Sequence, residues 1–392
     1  MEYEQLITPA LLRAKPSGIR RFFDLAADIQ GVVSLGVGEP DFPTPMAARE
    51  AAVRMLNAGS IPYTANAGTK QLRTAISAYL ERRFSLSYDP MREIIVTVGG
   101  SEGIDLSLRS LLQEGDEVIV PSPCFVCYAP LARMTGAKVV EVATRAENSF
   151  ALTADQLRSA ITPKTKLLIL SYPNNPTGAI LGREQLEELA KVLRRSTVMV
   201  LSDEIYAELT YDGQHTSIAS LPGMRERTIL VSGFSKAFAM TGWRLGYLCA
   251  PRPAAEQLLK LHQYALMCAP ALSQEAALAA LAQADTEVER MREQYDNRRR
   301  FLTGELRRIG MTCFEPKGAF YVFPSIRSTG LSSVKFCEEL LCGQRVAVVP
   351  GDAFGPGGEG FVRISYAYSQ EHLTEAIRRM EVFLENPSKT IC

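Results

Sequence analysis

The chain has 392 residues, which is long for one hydrophobic core and predicts two domains or one large α/β domain. Hydrophobic residues make up 46% of it and charged residues 22%, proportions that are typical of a globular protein. Basic and acidic residues number 43 each, so the net charge is near zero, which argues against nucleic acid or a membrane surface as the main partner.

Targeting and metal-binding signals are weak in this sequence. No apolar run of about 18 residues predicts a transmembrane helix, and the charged N-terminal stretch does not resemble a signal peptide, so we expect a cytoplasmic location. The histidines lie far apart, and Cys124 and Cys127 form a C-x-x-C pair with no second pair beside it, so no metal site is expected. The eight cysteines are interpreted as reduced residues that pack in the core.

Six short runs rich in Val, Ile and Leu predict β-strands, in chain order at 93–98, 116–121, 166–171, 198–202, 228–232 and 246–250. Each run is apolar throughout rather than alternating, which is typical of strands covered on both faces. Helical patterns stand between several of them, for example at 101–112 and 183–195. This alternation predicts an α/β fold, with a mostly parallel central sheet covered by helices on both sides.

The character of the sequence changes on either side of this α/β block. Residues 1–45 are irregular and proline-rich near their end, and a long charged helical stretch begins near residue 285. That stretch is followed by the short apolar runs "AFYVFP", "VAVVPG" and "FVRISYA". We therefore expect a large domain at 46–285 and a smaller α+β domain formed by 1–45 together with 286–392.

Polar residues directly follow four of the predicted strands. Gly100 and Ser101 follow the first, Asn175 comes after "KLLILS", Asp203 after "VMVLS" and Lys236 after "TILVS". Ligands of open α/β sheets bind at the carboxyl ends of the strands, so these groups are expected to converge. Each motif alone is weak, because small-residue turns are often simple connections and a lone lysine is usually solvated. The dinucleotide fingerprint and the phosphate-loop motif of ATPases are not matched.

Motifs along nearly the whole chain together resemble one family. They are "SLGVGEPDFPTP", "YTANAGTKQLR", "PNNPTG", "SDEIYAELTYDG", "GFSKAFAMTGWRLG", "GAFYVFP" and "FVRISYA". On these stretches the chain resembles the class I aminotransferases of pyridoxal-phosphate fold type I. It is most similar to the prokaryotic branch that contains aspartate, aromatic and N-acetyl-diaminopimelate aminotransferases. The resemblance implies that architecture and the cofactor pyridoxal 5'-phosphate, whose ring is the electron sink of the reaction.

The resemblance implies a role for each residue around the ring of the cofactor. Lys236 would form the Schiff base and, once substrate has displaced it, move a proton as general base and acid. Asp203 would pair with the pyridine nitrogen and keep it protonated. Tyr206 and Asn175 would form hydrogen bonds with the phenolic oxygen, and Phe125 would stack on the ring.

A second group of residues is implied to hold the phosphate of the cofactor. Arg244 would clamp it with a planar, bidentate fork, and Ser235 would add a hydroxyl. Gly100 and the N–H groups of Ser101 and Glu102, at the start of a helix, would complete a phosphate cup.

Two further positions concern the phosphate cup and the assembly. Gly233 stands where relatives can carry a hydroxyl, three residues before the lysine, so the cup is expected to have one contact fewer. Tyr63 of "YTANAG" resembles a tyrosine that reaches the phosphate from the other subunit. The resemblance therefore implies a homodimer whose active sites are completed across the interface.

The implied substrates are an amino acid and a 2-oxo acid, with glutamate and 2-oxoglutarate as one expected pair. Arg363 would bind the α-carboxylate in bidentate fashion, with help from Asn175 and from the backbone of Gly38, where a glycine permits close approach. Arg20 and Arg21 are candidates for binding a distal carboxylate, and they are equally compatible with a solvated pair. The preferred amino acid stays open.

Other functions remain open beside the leading hypothesis of a ping-pong aminotransferase. A β-lyase of the same fold would use the same Lys236, Asp203 and Arg363, and it would release ammonia without an amino acceptor. A pyridoxal-binding regulator would carry an added DNA-binding domain, for which the sequence has neither an N-terminal extension nor a basic patch. A non-catalytic binder is disfavoured because every catalytic position is filled.

Overall fold

A computed structural model of the protein describes residues 5–14, 16, 18 and 29–385. The helices predicted at 101–112 and 183–195 are confirmed, and so is the long helix after residue 285. Within the described residues there are twelve α-helices: α1 (Pro9–Leu12), α2 (Met46–Asn57), α3 (Lys70–Phe84), α4 (Gly99–Leu111), α5 (Tyr128–Met134), α6 (Ala154–Ala160), α7 (Arg183–Leu193), α8 (Arg252–Ala265), α9 (Ala271–Gln283), α10 (Asp285–Arg308), α11 (Ser333–Gln344) and α12 (Gln370–Glu385).

The same residues form twelve β-strands: β1 (Val33–Ser34), β2 (Ile94–Thr97), β3 (Glu117–Ser122), β4 (Lys138–Ala143), β5 (Thr165–Ser171), β6 (Met199–Asp203), β7 (Thr228–Gly233), β8 (Gly246–Cys249), β9 (Tyr321–Val322), β10 (Val346–Ala347), β11 (Val349–Pro350) and β12 (Val362–Ser365). Seven of them build the central sheet, in the order β2-β8-β7-β6-β5-β3-β4. Strand β8 runs antiparallel to its neighbours β2 and β7, and the other neighbouring pairs are parallel. The predicted mostly parallel α/β fold is confirmed.

Alternate residues of the central strands face two separate hydrophobic clusters. Leu167 and Ile169 of β5 belong to the cluster on one face of the sheet, whereas Leu168 and Leu170 belong to the cluster on the other face. Both faces are therefore shielded from water, which is why these strands are apolar at successive positions. The ends of β5, β6 and β7 lie at one edge of the sheet, and that is where polar side chains appear.

One strand of the central sheet is missing from the sequence prediction. Strand β4, "KVVEVA", pairs with β3 at the end of the strand order, and each of its residues is either exposed or half-buried. Lys138 and Glu141 interrupt the apolar pattern that identifies the buried strands. The strand was not predicted because it lies at the edge of the sheet, where its side chains are only partly buried.

Two smaller sheets lie outside the central one. Strands β11, β12 and β9 form an antiparallel sheet, and β1 pairs in parallel with β10, with Val33 beside Val346. The segment near residue 33 is thus joined to the C-terminal part of the chain, which is consistent with the expected small domain. One hydrophobic cluster contains both Ile94 of β2 and Phe383 of α12, so the core continues between the two regions. The boundaries at 45/46 and 285/286 stay a prediction.

The cysteine prediction holds for most of the described cysteines and fails for one. The free cysteines are Cys124, Cys127, Cys249, Cys268, Cys313 and Cys337. Burial raises the pKa of the Cys124 thiol to about 12, as expected for a packing residue rather than a redox centre. Cys342 is disulfide-bonded, so the prediction was wrong there, because scattered cysteines carry no sequence signal of which thiols meet.

In the part of the chain that the structure describes, no helix has the length and apolar character needed to cross a bilayer. The long helix α10, with 24 residues, is strongly charged, with acidic residues in its first turn and arginines in its last. It carries Tyr295 and Leu302 into the core and leaves its other face to water.

Candidate active site

A cavity of ≈ 550 Å³ opens at the edge of the central sheet where β5, β6 and β7 end. It is lined by residues from both the α/β block and the C-terminal part of the chain. Arg20 and Arg21 lie outside the described residues, and neither Tyr63 nor Glu102 is among the lining residues. The predicted site residues that line it are Gly38, Gly100, Ser101, Phe125, Asn175, Asp203, Tyr206, Ser235, Lys236, Arg244 and Arg363.

Lys236 follows β7 and reaches into the cavity with a part-buried side chain. Its Nζ donates a hydrogen bond to the carbonyl oxygen of Gly38, at 2.6 Å, and lies within 6 Å of the ring centres of Tyr206 and Phe320. Burial lowers the pKa of the amine to about 8, against the opposing charge of Glu39. An amine of this pKa is partly neutral near physiological pH and can act as a nucleophile or a base.

Asp203 ends β6 and is buried, with 6% of its surface exposed. Its Oδ2 accepts a hydrogen bond of 2.6 Å from Tyr128 Oη, and its Oδ1 accepts one of 3.2 Å from the N–H of Ile205. Burial raises the pKa of this carboxyl, and the bond from Tyr128 opposes the rise. Tyr128 was not predicted, because it lies at the start of α5 rather than after a strand.

Arg363 lies on β12 and is also buried, with 3% exposed. Its Nη1 donates to Asn175 Oδ1 at 3.1 Å, and its Nη2 donates to the carbonyl oxygen of Gly36. The guanidinium carbon is 4.5 Å from the ring centre of Tyr321. Its Nε is buried without a hydrogen-bond partner, and a buried donor of this kind is satisfied when an anion binds.

Two tyrosines form one wall of the cavity. The hydroxyl groups of Tyr206 and Tyr321 are 2.8 Å apart, and each ring packs edge-on or tilted against Phe320. A Cβ at Gly38 would lie 2.3 Å from Tyr321 Oη, so any larger residue there would require the Tyr321 side chain to move. Tyr321, which lies in "GAFYVFP", is a site residue for which the sequence predicted no role.

The opposite end of the cavity is suited to an anion. Gly100 and Ser101 belong to the first turn of α4, where N–H groups have no partner within the helix. Arg244 adopts a left-handed backbone with φ 51°, and its Nη1 donates to the carbonyl oxygen of Thr241. A Cβ at Gly99 would lie 2.8 Å from Arg244 Nη2, so the glycine lets the guanidinium approach the start of the helix.

The glycine at position 233 has a packing reason of its own. A Cβ there would lie 2.8 Å from the Cα of Gly246 and 3.0 Å from the carbonyl oxygen of Leu245. Both are backbone atoms of the neighbouring strand β8 and its approach, and they cannot move aside as a side chain would. A hydroxyl-bearing residue at Gly233 is therefore incompatible with this strand pairing.

The remaining predicted residues take different positions. Phe125 lines the cavity, and its ring packs edge-on against Tyr128 with centres 5.9 Å apart. Tyr63 is 83% exposed on the protein surface. Glu102 directs its carboxylate to His262 and to the N–H of Val98, away from the cavity.

The cavity thus combines groups that suit one kind of ligand. The Lys236 amine can add to a carbonyl, the Asp203 carboxylate can hold a cationic ring nitrogen, and Arg244 and Arg363 can each hold an anion. The two guanidinium groups belong to different parts of the chain and line the same space. The cavity therefore suits a bound complex that contains one carbonyl group, for the Lys236 amine, and two anionic groups, one for each guanidinium.

Comparison with known proteins leads to the same chemistry. The family model described as "Aminotransferase class I and II" matches residues 30–380. A putative aminotransferase of Bacillus subtilis (strain 168), YugH, is 54% identical over 94% of this chain and 96% of that protein. The aromatic-amino-acid aminotransferase 2 of Thermococcus litoralis is 46% identical over 97% and 98%, respectively. The structure of aspartate aminotransferase from Thermus thermophilus with maleate has a TM-score of 0.92 at 39% identity, covering 96% of this chain and 99% of that one. The chain therefore belongs to the class I and II aminotransferases and is a pyridoxal-phosphate-dependent enzyme that transfers an amino group between an amino acid and a 2-oxo acid.

Proposed function

We propose that the cavity at the sheet edge is the active site of this aminotransferase, with Lys236, Asp203 and Tyr206 as its catalytic residues. The observation that supports this most strongly is the Lys236 amine. Burial lowers its pKa to about 8, and it faces the same cavity as the buried carboxylate of Asp203 and the buried guanidinium of Arg363. Perturbed titratable groups that converge in one cavity are typical of active sites.

The donor set of the cavity fits pyridoxal phosphate. Arg244, Ser235 and the free N–H groups at the start of α4 suit a phosphate group, and the space beside Arg244 exists because Gly99 has no side chain. The buried Asp203 suits a protonated ring nitrogen, and Phe125 offers a flat apolar surface. Lys236 suits the carbonyl carbon. Each chemical part of the cofactor therefore has a residue of the right kind.

Once bound, the cofactor supplies the electron sink that weakens the bond between Cα and its hydrogen in an amino acid. The protein then has to move that proton, and Lys236 Nζ, with a pKa of about 8, can accept and return it near neutral pH. Asp203 is held in place by Tyr128 and by the N–H of Ile205, and its fixed carboxylate would pair with the ring nitrogen of the cofactor. The hydroxyl of Tyr206 is held by that of Tyr321.

Substrate binding is assigned to the other end of the cavity. Arg363 would bind the α-carboxylate through its unpartnered Nε and a neighbouring N–H, with Asn175 and the backbone of Gly38 beside it. Glutamate and 2-oxoglutarate are proposed as one substrate pair. Relatives are named after aspartate and after aromatic amino acids, so these are the donors to test first.

The enzyme is proposed to work as a homodimer in which Tyr63 reaches the phosphate of the partner's site. Tyr63 is 83% exposed, and Ile61, Leu266 and Met267 also expose about half of their surfaces. The side chain of Asn66 donates to the carbonyl oxygen of Met267, which joins the loop that carries Tyr63 to the end of α8. Exposed apolar side chains of adjoining segments are typical of a protein interface. The cytoplasmic location also stays a prediction.

The test is to follow amino transfer from single amino acids to 2-oxoglutarate with the purified protein. We expect glutamate to form in equal amount to the new 2-oxo acid, and Lys236→Ala to lose at least about a thousandfold in rate. Lys317→Ala is the control, because Lys317 is an exposed lysine paired with Asp212, and its rate should stay unchanged. Release of pyruvate and ammonia without an acceptor would identify a β-lyase instead, and an active Lys236→Ala variant would show that the assigned site is wrong.

A further inference from the structure

A buried carboxylate–imidazole pair lies behind the start of α4 and outside the cavity lining. His262 of α8 is fully buried, and its Nδ1 is 2.5 Å from Glu102 Oε1. Its Nε2 is 2.9 Å from the carbonyl oxygen of Asn66. The other carboxylate oxygen of Glu102 accepts a hydrogen bond from the N–H of Val98. One imidazole ring therefore connects α4, α8 and the loop 58–69 between α2 and α3.

The hydrogen-bond partners determine how many protons this pair holds. A carbonyl oxygen can only accept, so Nε2 of His262 donates to Asn66. The contact between Nδ1 and Glu102 Oε1 also needs a proton, because two lone pairs would otherwise face each other at 2.5 Å. That proton balances the charge that the Glu102 carboxylate would carry alone. The pair as a unit is therefore electrically neutral.

The charge of this pair matters because of what lies beside it. Val98 is the residue immediately before the first turn of α4, and Gly100 and Ser101 in that turn line the cavity. The free N–H groups of a first helical turn attract anions. A carboxylate without a counter-charge at this point would weaken that attraction, since like charges repel more strongly where water is excluded. A neutral pair leaves the anion-binding end of the helix intact.

The same pair fastens the loop that carries Tyr63. The backbone carbonyl of Asn66 accepts a hydrogen bond from His262, and its side chain donates one to the carbonyl oxygen of Met267. The last turn of α8 and the segment directly after it therefore both hold Asn66. Gln274 adds a bond to the hydroxyl of Thr64, the residue after Tyr63. The pair thus fixes the start of α4 relative to the segment proposed to reach the partner subunit.

We propose that Glu102 and His262 are positioning residues for the phosphate of the cofactor. They hold the start of α4 against the loop 58–69 and keep the buried carboxylate neutralised beside an anion-binding helix end. The inference rests on the proposed phosphate cup of Arg244, Ser235 and the first turn of α4. The pair is expected to affect binding of the phosphate group and not binding of the rest of the cofactor.

The experiment compares two probes, pyridoxal 5'-phosphate and pyridoxal, which differ only in the phosphate. The single tryptophan of the chain, Trp243, is adjacent to Arg244, so quenching of its fluorescence can report binding. We expect His262→Ala to raise the Kd for pyridoxal 5'-phosphate at least about tenfold and to leave the Kd for pyridoxal within about twofold of wild type. Equal effects on both probes, or no effect on either, would overturn the proposal.

The conservative variant Glu102→Gln sharpens the test. Its amide oxygen can accept the N–H of Val98, and its NH₂ can donate to a neutral His262 that still donates to Asn66. Glu102→Gln should therefore bind both probes nearly as wild type does, and Glu102→Gln with His262→Ala should bind the phosphate probe more tightly than His262→Ala alone. A double variant as weak as His262→Ala would contradict the charge argument.

Further variants separate the possible failures. If His262→Ala does not fold, His262→Gln is measured instead, and the same selective loss is expected because Glu102 keeps an unbalanced charge. Arg225→Ala removes the cation from another part-buried carboxylate, Glu93, and should change neither Kd. Arg244→Ala tests the phosphate cup itself. If Arg244→Ala weakens binding of pyridoxal 5'-phosphate more than binding of pyridoxal, and the His262 variants do not, only the inference about Glu102 and His262 is wrong. If Arg244→Ala changes both Kd values equally, the proposed phosphate cup is wrong.

Discussion

Lys236 holds a part-buried basic amine against the rings of Tyr206 and Phe320 in the wall of the cavity. Burial lowers its pKa from the ordinary value to about 8, which means that the folded protein disfavours the charged form. This is useful for chemistry, because a partly neutral amine can accept a proton or attack a carbonyl at neutral pH. The same burial makes the cofactor-free protein less stable while the amine is charged.

We predict that Lys236→Met stabilises the cofactor-free protein at pH 7 by about 2 kcal/mol. The lowered pKa corresponds to a gain of roughly 3 kcal/mol in the free energy of unfolding when the charge is removed. The loss of the hydrogen bond to Gly38 reduces this gain by about 1 kcal/mol. The unfolded lysine holds its proton up to about pH 10.5, whereas the folded one releases it near pH 8. Wild-type stability should therefore rise between pH 8 and 10.5, so the advantage of the variant should shrink over that window.

Urea unfolding at pH 7, 9 and 10.5 checks this prediction. Lys317→Met is the matched control, because Lys317 is half-exposed and pairs with Asp212 on the surface, so its replacement should not stabilise the protein. A Lys236→Met protein that is less stable than wild type at pH 7, or whose advantage does not change with pH, would contradict the burial argument.

The position after a strand predicted some site residues and the family resemblance predicted others, such as Arg363, but neither predicted Tyr128 or the pairing of His262 with Glu102. Lys236 and Asp203 were found because each stands directly after an apolar run. Tyr128 was missed because nothing local links it to Asp203, which is 75 residues further on. The pairing of His262 with Glu102 joins positions 160 residues apart and leaves no periodic signal.

The elements that build the site are held together by backbone approaches that exclude side chains. A Cβ at Gly233 would meet the backbone of Leu245 and Gly246, and a Cβ at Gly246 would meet the backbone of Gly99 and Gly100 at the start of α4, so neither glycine has room for a side chain. The resemblance to relatives suggested that a hydroxyl was simply missing at Gly233. The strand pairing gives the physical reason, which a sequence without its neighbours in space could not reveal.

We predict that Gly233→Ala destabilises the protein by about 1 to 3 kcal/mol, because its Cβ would meet backbone atoms that cannot yield. Gly304→Ala in the interior of α10 is the matched control. Apart from the backbone of its own helix, no atom lies within 4 Å of a Cβ there, and alanine favours a helix over glycine, so a gain of about 0.5 to 1 kcal/mol is expected. Thermal unfolding of both variants checks this, and an unchanged melting temperature in Gly233→Ala would refute the packing argument.

Elements with uniform patterns were the predictable ones. The buried strands of the central sheet and the helices α4, α7 and α10 were identified from apolar runs or helical spacing. Strand β4 was not, since Lys138 and Glu141 interrupt its apolar pattern at the edge of the sheet. The order of the strands in the sheet could not be predicted from the sequence either, because the composition of β8 does not indicate that it runs antiparallel to its neighbours.

On the scale of the whole molecule, the surface near Tyr63 suggests that one chain does not complete its own site. Tyr63 is exposed and does not line the cavity of its own protomer, although the resemblance implies a contact with the phosphate. Val53 and Leu56 of α2 are also more than half exposed. A homodimer would cover this apolar surface and deliver Tyr63 to the partner's cavity.

We predict that two defective subunits restore activity when they are mixed. In a hybrid of Lys236→Ala and Tyr63→Ala subunits, one site combines an intact Lys236 with an intact Tyr63 from the other chain. Random exchange at equal amounts makes about half of the dimers hybrids with one of two sites intact, so about a quarter of wild-type activity is expected. Measured activity after co-refolding checks this.

The control mixture combines Lys236→Ala with Asp203→Ala. Both residues belong to the same cavity of one chain, so no hybrid contains a complete site and no recovery is expected. Recovery in neither mixture would mean that Tyr63 serves its own protomer, and a Tyr63→Ala protein that is fully active by itself would mean that Tyr63 has no role in the site.

The hairpin of β7 and the antiparallel β8 has a consequence for how the site forms during folding. Only twelve residues separate the end of β7 at Gly233 from the start of β8 at Gly246, and they include both Lys236 and Arg244. Closing so short a loop costs little conformational entropy. A local contact can therefore bring these two cations together early in folding. Asn175, Asp203 and Arg363 must instead arrive from distant parts of the chain. Lys236 and Arg244 thus belong to one local unit, whereas the other site residues join them through contacts of long sequence separation.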